Sequence, residues 1–245
     1  KGVDVLCGGG GGVGACAWVG GGGGGGADIL DIGGQSTRPG YEEVSPQVEA
    51  DRVLPLIKKI RETSLAPISV DTYYPEVAEA AIQAGATMIN DIKGLDTPGM
   101  AEVLAQYPEV QVVIMHSRKR QSLSLKEELH QFYTEKIEQC QKYGLSLEKI
   151  CFDPGIGFHK TVAENLQLLK DPNAFRYQDY PLLYGVSRKR TIGALTNEPE
   201  PANRDFGSAA ASLYAAQQGV EILRVHNVQG LKQTFDVWRA LSEKE

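Results

Sequence analysis

Eight short apolar segments recur along this 245-residue chain, and stretches with helical periodicity separate them. Such segments are typical of strands in a parallel sheet whose two faces are both covered. The predicted strands span residues 3–7, 28–33, 68–71, 88–92, 111–116, 150–153, 182–185 and 222–226. Eight strands with interleaved helices predict an α/β fold, a (β/α)8 TIM barrel that forms a single domain over residues 1–245. A doubly wound sheet is the alternative.

Helix start and stop signals fall between the predicted strands. Ser45 reads as an N-cap and Pro46 as the first helical residue, which predicts a helix through residue 60. Pro75 opens a second helix that ends at Gly85. Further helices are predicted over residues 125–143, 204–218 and 228–242.

The composition argues against several classes of protein. The formal net charge is −6, which argues against a nucleic-acid surface as the main function, so any anion site must be local. The sequence has no run of about eighteen apolar residues that could span a membrane. Its four cysteines form no CxxC pair and no disulfide framework, which favours a reducing cytoplasm over secretion.

Glycine fills 13 of the 20 positions from residue 7 to residue 26, where the first helix of such a domain should lie. A glycine in a helix interior costs about 1 kcal/mol relative to alanine, so the run cannot supply a stable helix. It matches a GxGxxG pattern by accident, because a dinucleotide site also needs a strand and a helix. Two interpretations stay open: a low-complexity linker, or glycines that stand for residues of unassigned identity.

Polar side chains stand at or just after the ends of most predicted strands. The set comprises Asp71, Asn90, Asp91, His116, Asp153, Ser187, Lys189, Arg224 and His226. In a (β/α)8 barrel the loops after the strands form the active face, so these residues are expected at one mouth. One such residue is usually a cap or a turn residue, but a whole set is harder to explain in that way.

Asp153 ends one apolar strand, and Lys189 follows the next one within the basic run Ser187-Arg188-Lys189-Arg190. An acid can hold an amino-heterocycle, and a base can hold a ring carbonyl or an anion. The pair therefore suggests a pocket for a polar ring that carries a charged group. Simpler roles stay open for the polar strand ends: a turn cap for Asp153, a helix cap for Asp71 and a turn amide for Asn90.

Arg224 and His226 lie two residues apart on the last predicted strand, so their side chains share one face of it. Leu223 and Val225 then turn to the other face. Two adjacent donors of this kind suit a phosphate or a pyrophosphate. An arginine that satisfies helix C-termini is the alternative.

Other basic stretches are interpreted as simpler features. Arg118-Lys119-Arg120 follows His116 and reads as a solvated face. The segment from Gly155 to Thr161 ends in Lys-Thr but lacks the second glycine of a P-loop. Neither an HExxH metal motif nor a GxSxG elbow occurs in the sequence.

Several ordered blocks together carry a resemblance to a known family. They are Asp31-Ile32-Gly33-Gly34-Gln35-Ser36-Thr37-Arg38-Pro39-Gly40, Ser69-Val70-Asp71-Thr72, Ile89-Asn90-Asp91-Ile92, Met115-His116, Asp153-Pro154-Gly155-Ile156-Gly157-Phe158, Ser187-Arg188-Lys189 and Arg224-Val225-His226. In this order, from about Ala27 to the C-terminus, they resemble the dihydropteroate synthases.

The resemblance implies a transferase of folate biosynthesis that joins 7,8-dihydropterin-6-ylmethyl diphosphate to 4-aminobenzoate and releases pyrophosphate. By position it assigns the pterin to Asp71, Asn90, Asp153 and Lys189, the diphosphate to Arg38, Arg224 and His226, and the aminobenzoate border to Thr37, Pro39, Phe158 and Lys189. Met115 and Gly185 complete the expected substrate-binding set, and Arg38, Lys189, Arg224 and His226 are the expected catalytic residues. It also implies Mg²⁺, a homodimer built on the last helices and sensitivity to sulfonamides.

One departure from the family concerns the metal. The family's first loop carries an Asn-Val-Thr-Pro-Asp-Ser-Phe-Ser-Asp segment, whose Asn contacts the metal and the diphosphate. The glycine run occupies that place here, so the metal ligands are unknown from the sequence.

Two other functions compete with this one. A pterin-binding barrel enzyme that acts as a methyltetrahydrofolate methyltransferase would need neither diphosphate donors nor the Ser36-Thr37-Arg38-Pro39 loop, and both are present. A non-catalytic pterin-binding paralogue that regulates a partner is kept open by the missing first loop.

Overall fold

The computed structural model describes residues 14–19, 26–35 and 42–242, and of residues 14–19 only the course of the backbone. Its strands are β1 (Gly14–Val19), β2 (Ile29–Gly33), β3 (Ile68–Asp71), β4 (Met88–Asp91), β5 (Gln111–Met115), β6 (Ile150–Asp153), β7 (Leu183–Tyr184) and β8 (Ile222–Val225). Its helices are α1 (Pro46–Arg61), α2 (Pro75–Gln83), α3 (Met100–Leu104), α4 (Leu125–Tyr143), α5 (Val162–Lys170), α6 (Arg190–Thr196), α7 (Asp205–Gln217) and α8 (Val228–Ser242). From β2 onward, a helix follows every strand.

The strand predictions from residue 28 onward are confirmed, with ends that differ by one residue at most. The helices predicted over residues 125–143 and 228–242 are confirmed at both ends. Ser45 caps α1 as expected, because its side chain accepts the N–H of Val48 at 3.3 Å. The strand predicted over residues 3–7 lies outside the described residues.

Three short helices were missed from the sequence: α3, α5 and α6, which span five, nine and seven residues. One local signal could have found α5. Thr161 and Glu164 form a capping box, in which each side chain bonds the other residue's backbone N–H. This box fixes the point where the loop after β6 becomes a helix.

Strand β1 lies inside the glycine-rich run and runs antiparallel to β8, with Ala17 opposite Val225. The sequence pattern predicted parallel strands instead. Its apolar stretch, GACAWV, interrupts the glycines with residues that favour extended structure. A parallel partner would require a crossover connection, usually a helix, and the flanking glycines do not favour one.

The described residues group into two compact units. The first comprises residues 14–16, 29–115 and 134–151, and the second comprises residues 17–19, 26–28, 116–133 and 152–242. The single domain over residues 1–245 stays a prediction. Among the described residues, no helix combines the length and the apolar character needed to cross a membrane.

In the first unit, β2, β3, β4 and β5 pair in parallel in chain order. Every residue of β3 and β4 is buried, as expected for strands covered on both faces. The register places Asp71 opposite Asn90. The polar ends of these two strands therefore lie side by side.

In the second unit, β7 and β8 pair in parallel through Leu183 and Tyr184. Phe152 of β6 forms a single parallel bridge to Leu182. Along β8, Leu223 and Val225 are buried while Arg224 is half-buried. This alternation confirms that the two donors predicted at the end of the chain's last strand share its more open face.

Candidate active site

The first unit contributes a buried pair of polar strand ends, Asp71 and Asn90, which are 5% and 3% exposed. The side-chain oxygen Oδ1 of Asn90 has no hydrogen-bond partner among the described residues. An unsatisfied buried amide oxygen is costly, so this atom is suited to accept a hydrogen bond from a ligand. Met115, the last residue of β5, is also buried.

Asp91 is the strand-end acid with a structural role. Its Oδ1 accepts the N–H of Lys93 and its Oδ2 accepts the N–H of Leu95, both at 2.8 Å. Burial raises its pKa to about 6, and these two hydrogen bonds oppose the rise. The carboxyl group therefore closes the turn after β4.

Glu49 of α1 is a buried carboxyl group that sequence reasoning missed. Its Oε2 accepts the hydroxyl hydrogen of Thr72 at 3.3 Å. Burial raises the pKa of Glu49 to about 7, and the charge of Asp71 adds to the rise. A glutamate in the first turn of a helix is common, because its negative charge interacts favourably with the helix dipole. The sequence therefore offered no reason to expect that Glu49 would be a buried acid close to Asp71.

The second unit is organised around the carboxylate of Asp153 at the end of β6, which is 4% exposed. Its Oδ1 accepts the N–H of Gly155 at 2.7 Å. Burial raises the pKa of Asp153, and the charge of Lys189, this hydrogen bond, Lys160 and Arg224 all act to lower it. The structure thus brings the predicted acid and the predicted basic groups of this unit into electrostatic contact.

Lys189 rests on the loop that follows Asp153. Its ammonium group donates to the carbonyl oxygen of Ile156 and lies 4.8 Å from the centre of the Phe158 ring. Gly157 has a φ of +83°, and a Cβ there would lie 3.1 Å from Cδ of Lys189. The loop therefore fits the lysine side chain closely because this position has no side chain.

The anion-binding candidates lie at the end of β8. A Cβ on Gly185 would be 3.8 Å from both Cβ of Arg224 and Nζ of Lys189, so the bare backbone at Gly185 lies beneath both basic side chains. His226 and Ser187 are joined twice: Oγ of Ser187 lies 3.2 Å from the backbone nitrogen of His226 and 3.0 Å from its Nδ1. Ser187 thereby orients the histidine ring.

The three neighbouring basic residues after Ser187 have separate roles. Arg188 forms a two-pronged ion pair with Asp205, with N···O distances of 2.6 and 2.8 Å. Arg190 is exposed and begins α6. Lys189 is therefore the residue of this run whose charge lowers the pKa of Asp153.

The interpretation of Arg118-Lys119-Arg120 as a solvated face is wrong for Arg120. Its guanidinium group pairs with Glu128 and, at 2.8 Å, with Glu164. Both partners are distant in sequence from the basic run, so no local pattern could have indicated them. Of the other histidines, His159 is exposed and His130 is half-buried.

Thr37, Arg38 and Pro39 lie outside the described residues, as does most of the glycine run. Their predicted roles are therefore not described by the structure. Within the described ranges, no group of three or more histidine, cysteine, aspartate or glutamate side chains is placed to hold a metal ion.

Known proteins resemble this chain over most of its length. Residues 23–226 match the family described as pterin binding enzyme. The dihydropteroate synthase of Synechocystis sp. is 41% identical over 224 residues, which cover 88% of this chain and 77% of that protein. The chain belongs to the dihydropteroate synthases.

Two solved structures of the synthase from Xanthomonas albilineans extend the similarity to the fold. The structure with 4-aminobenzoic acid gives a TM-score of 0.85 at 41% identity, covering 89% of this chain and 81% of that one. The complex with 7,8-dihydropteroate gives a TM-score of 0.82 at 40% identity, covering 89% and 83%. The (β/α)8 fold of this synthase, predicted from its strand pattern, is confirmed.

Gly155→Ala should destabilise this synthase more than Gly144→Ala does. Both glycines have positive φ, +72° and +78°, so an alanine at either position strains the backbone by roughly 1–2 kcal/mol. At Gly155 the added Cβ would also lie 2.0 Å from the carbonyl oxygen of His116, whereas nothing lies within 4 Å at Gly144. This overlap should cost roughly 1–3 kcal/mol more.

Urea denaturation measures the free energy of unfolding of both variants. Equal losses at the two positions would contradict the close packing of the loop after β6 on His116.

Proposed function

We propose that this synthase condenses 7,8-dihydropterin-6-ylmethyl diphosphate with 4-aminobenzoate to give 7,8-dihydropteroate and pyrophosphate. The observation that carries the proposal is the buried acid Asp153 at the end of β6 in a unit where Lys189 and Arg224 both lie against Gly185, in a chain of this family. A buried acid beside two cationic groups suits a ring with N–H donors, a carbonyl acceptor and an anionic substituent.

In this reaction the bond between the pterin methylene carbon and the diphosphate oxygen breaks, and a bond from the same carbon to the amine nitrogen of 4-aminobenzoate forms. The amine loses one proton. Negative charge develops on the leaving pyrophosphate, and we assign its stabilisation to Arg224 and His226. The aromatic amine needs positioning more than a strong base, so we assign no step to a nucleophilic side chain.

Asp153 is proposed to accept hydrogen bonds from the amino edge of the pterin, and Lys189 to donate to its carbonyl oxygen. Asp71 and Asn90 are assigned to pterin recognition as well, supported by the unpartnered Oδ1 of Asn90 among the described residues. A carboxylate and an amide together offer the acceptors and the donor that a heterocycle edge requires.

The border of the aminobenzoate subsite is assigned to Phe158 and Lys189, supported by the contact of the lysine ammonium with the aromatic ring. Thr37, Arg38 and Pro39 keep their expected roles around the aminobenzoate and the diphosphate. Met115 and Gly185 complete the proposed set. Sulfonamides resemble 4-aminobenzoate in shape, so competition between the two is expected.

Mg²⁺ is proposed as the cofactor on the strength of the resemblance alone. The described residues offer no cluster of suitable ligands, and the place of the family's first-loop asparagine lies outside them. A metal ion would neutralise charge on the diphosphate. No step assigned above to Arg224 or His226 depends on it.

The cytoplasm is the proposed location, because Cys140 is a buried free thiol. Methyl transfer from methyltetrahydrofolate is less well supported, because the relatives are synthases and the basic residues of β8 suit a diphosphate. A non-catalytic paralogue would bind pterin without turnover.

Formation of dihydropteroate from labelled 4-aminobenzoate and the pterin diphosphate, with Mg²⁺ present, is the expected activity. Arg224→Ala should lower the rate by about a hundredfold or more, because a preorganised donor to the leaving group is lost. Its affinity for 6-hydroxymethylpterin, which carries no diphosphate, should stay close to that of the parent. A parent that binds pterin but forms no product would favour the paralogue, and a parent-like rate in Arg224→Ala would move the anion site elsewhere.

Asp153→Asn should weaken binding of 6-hydroxymethylpterin by roughly a hundredfold, because a buried charged partner of the ring is removed. Isothermal titration calorimetry gives the dissociation constant. Asp179→Asn is the control, since Asp179 is an exposed acid of the same unit. Parent-like affinity in Asp153→Asn would exclude this residue from pterin recognition.

A homodimer through α7 and α8 is also proposed. The two helices pack together and border an apolar groove of about 950 Å³. Phe206, Val237 and Leu241 are 91%, 60% and 81% exposed on these helices. Large apolar side chains at such exposure are suited to burial against a second copy of the chain.

Phe206→Glu should shift the synthase from dimer to monomer in sedimentation velocity experiments, because a charge would enter an apolar interface. Leu65→Glu is the matched control, since Leu65 is 95% exposed in the other unit. A parent that sediments as a monomer, or equal dissociation in the control, would remove the support for this interface.

A further inference from the structure

Lys160, the residue that ends the loop after β6, lies in a ring of backbone oxygens. Its Nζ is 3.2 Å from the carbonyl oxygens of Gly155 and Phe158 and 3.3 Å from that of His116. The same Nζ is 3.1 Å from Nδ1 of His116. The Gly155 carbonyl also accepts the N–H of Phe158 at 3.0 Å, so the lysine adds a further hydrogen bond to this turn.

The ring of His116 is arranged to accept from this lysine. Burial lowers the pKa of His116 to about 3, and the charges of Lys160, Arg118 and Arg120 act in the same direction. If Nδ1 of the neutral ring accepts from Lys160, the ring proton is on Nε2, which lies 3.3 Å from Oε1 of Glu128.

A second layer of charges surrounds the lysine. Arg120 pairs with Glu128 and Glu164, and Glu164 lies in the capping box of α5, directly after Lys160. Burial lowers the pKa of Lys160 to about 7, whereas Asp153 and Glu128 act to raise it. Both the ammonium and the neutral amine retain N–H donors for the carbonyl oxygens.

Two of the oxygens around Lys160, those of Gly155 and Phe158, belong to the loop that supports Lys189. Gly155 donates its N–H to Asp153, Ile156 accepts from the Lys189 ammonium, and Phe158 lies against it. On the far side of Ile156, the N–H of Gly157 is held by Oδ1 of Asn165 at 2.9 Å. If the Gly155 and Phe158 carbonyls moved, the Ile156 carbonyl and the Phe158 ring would move with them. These two groups position the Lys189 ammonium.

We propose that Lys160 is a positioning residue for pterin recognition: its side chain holds the Gly155 and Phe158 carbonyls so that Ile156 presents the Lys189 ammonium to the substrate. This inference rests on the proposed function, because it assigns Lys160 a role through Lys189.

Lys160→Met, which keeps the length of the side chain without its donors, should weaken binding of 6-hydroxymethylpterin by about tenfold or more. Lys136→Met is the matched control. Lys160 is half-buried, whereas Lys136 is buried, pairs with Asp96 at 2.5 Å and Gln139 at 3.0 Å, and belongs to the other unit. In its folded state the control variant should bind the pterin as the parent does.

A double-mutant cycle with Lys189→Ala separates positioning from general destabilisation. If Lys160 acts through Lys189, Lys160→Met should weaken pterin binding by less than about threefold when Lys189 is already absent. The same factor in both backgrounds would mean that Lys160 does not act through Lys189, and parent-like binding in Lys160→Met would also overturn the proposal.

If Lys160→Met does not fold, Lys160→Gln keeps an amide donor and serves in the same cycle, with the same two outcomes. A parent protein that fails to bind 6-hydroxymethylpterin would refute the proposed function. A parent that binds, together with a variant that binds equally well, would refute only the role of Lys160.

Discussion

The burial of the Asp153 carboxylate imposes the strictest requirement on the second unit. A carboxylate removed from water favours its neutral form unless hydrogen bonds and positive charge compensate. Here the compensation comes from the N–H of Gly155 and from the charges of Lys189, Lys160 and Arg224. These groups come from three separate stretches of the chain, and each of them favours the ionised form of the acid against the effect of burial.

The loop after β6 both donates a hydrogen bond to Asp153 and contacts the two lysines, Lys160 and Lys189. The backbone between Gly155 and Phe158 turns its carbonyl oxygens toward Lys160 and Lys189, and its N–H at Gly155 toward Asp153. Such a path needs positive φ at Gly155 and Gly157 and leaves no room for a side chain at the first. The turn signal after β6 is therefore part of the site.

The proposed reaction does not require a nucleophilic side chain. A reaction in which a stabilised leaving group departs and a weak amine attacks depends on electrostatics and orientation. Acids at strand ends and basic groups on the following loops provide both. Asp153 at the end of β6 and Lys189 after β7 follow this pattern, while Arg224 lies on β8 itself. In the first unit, Asp71 instead lies opposite an amide, Asn90, on the neighbouring strand.

The sequence by itself determined the strands from residue 28 onward, the longer helices and the positions of the polar strand ends. Strands covered on both faces must be apolar throughout, and Ser45 and Pro46 mark a helix start through groups that lie close in sequence. The alternation of Leu223, Arg224 and Val225 follows in the same way from the period of a strand. Local rules of this kind can be read from a single stretch of chain.

Only the tertiary structure decided which basic residue serves which acid. Arg188 pairs with Asp205, Arg120 pairs with Glu128 and Glu164, and Lys189 is left to act on Asp153. In the sequence, Arg188 and Lys189 are equivalent members of one basic run. The two partners of Arg120 lie 8 and 44 residues away from it in the sequence. The partner of Arg188 lies 17 residues away. Electrostatic attraction depends on distance in space, so these pairings exist only once the strands and loops have been brought together.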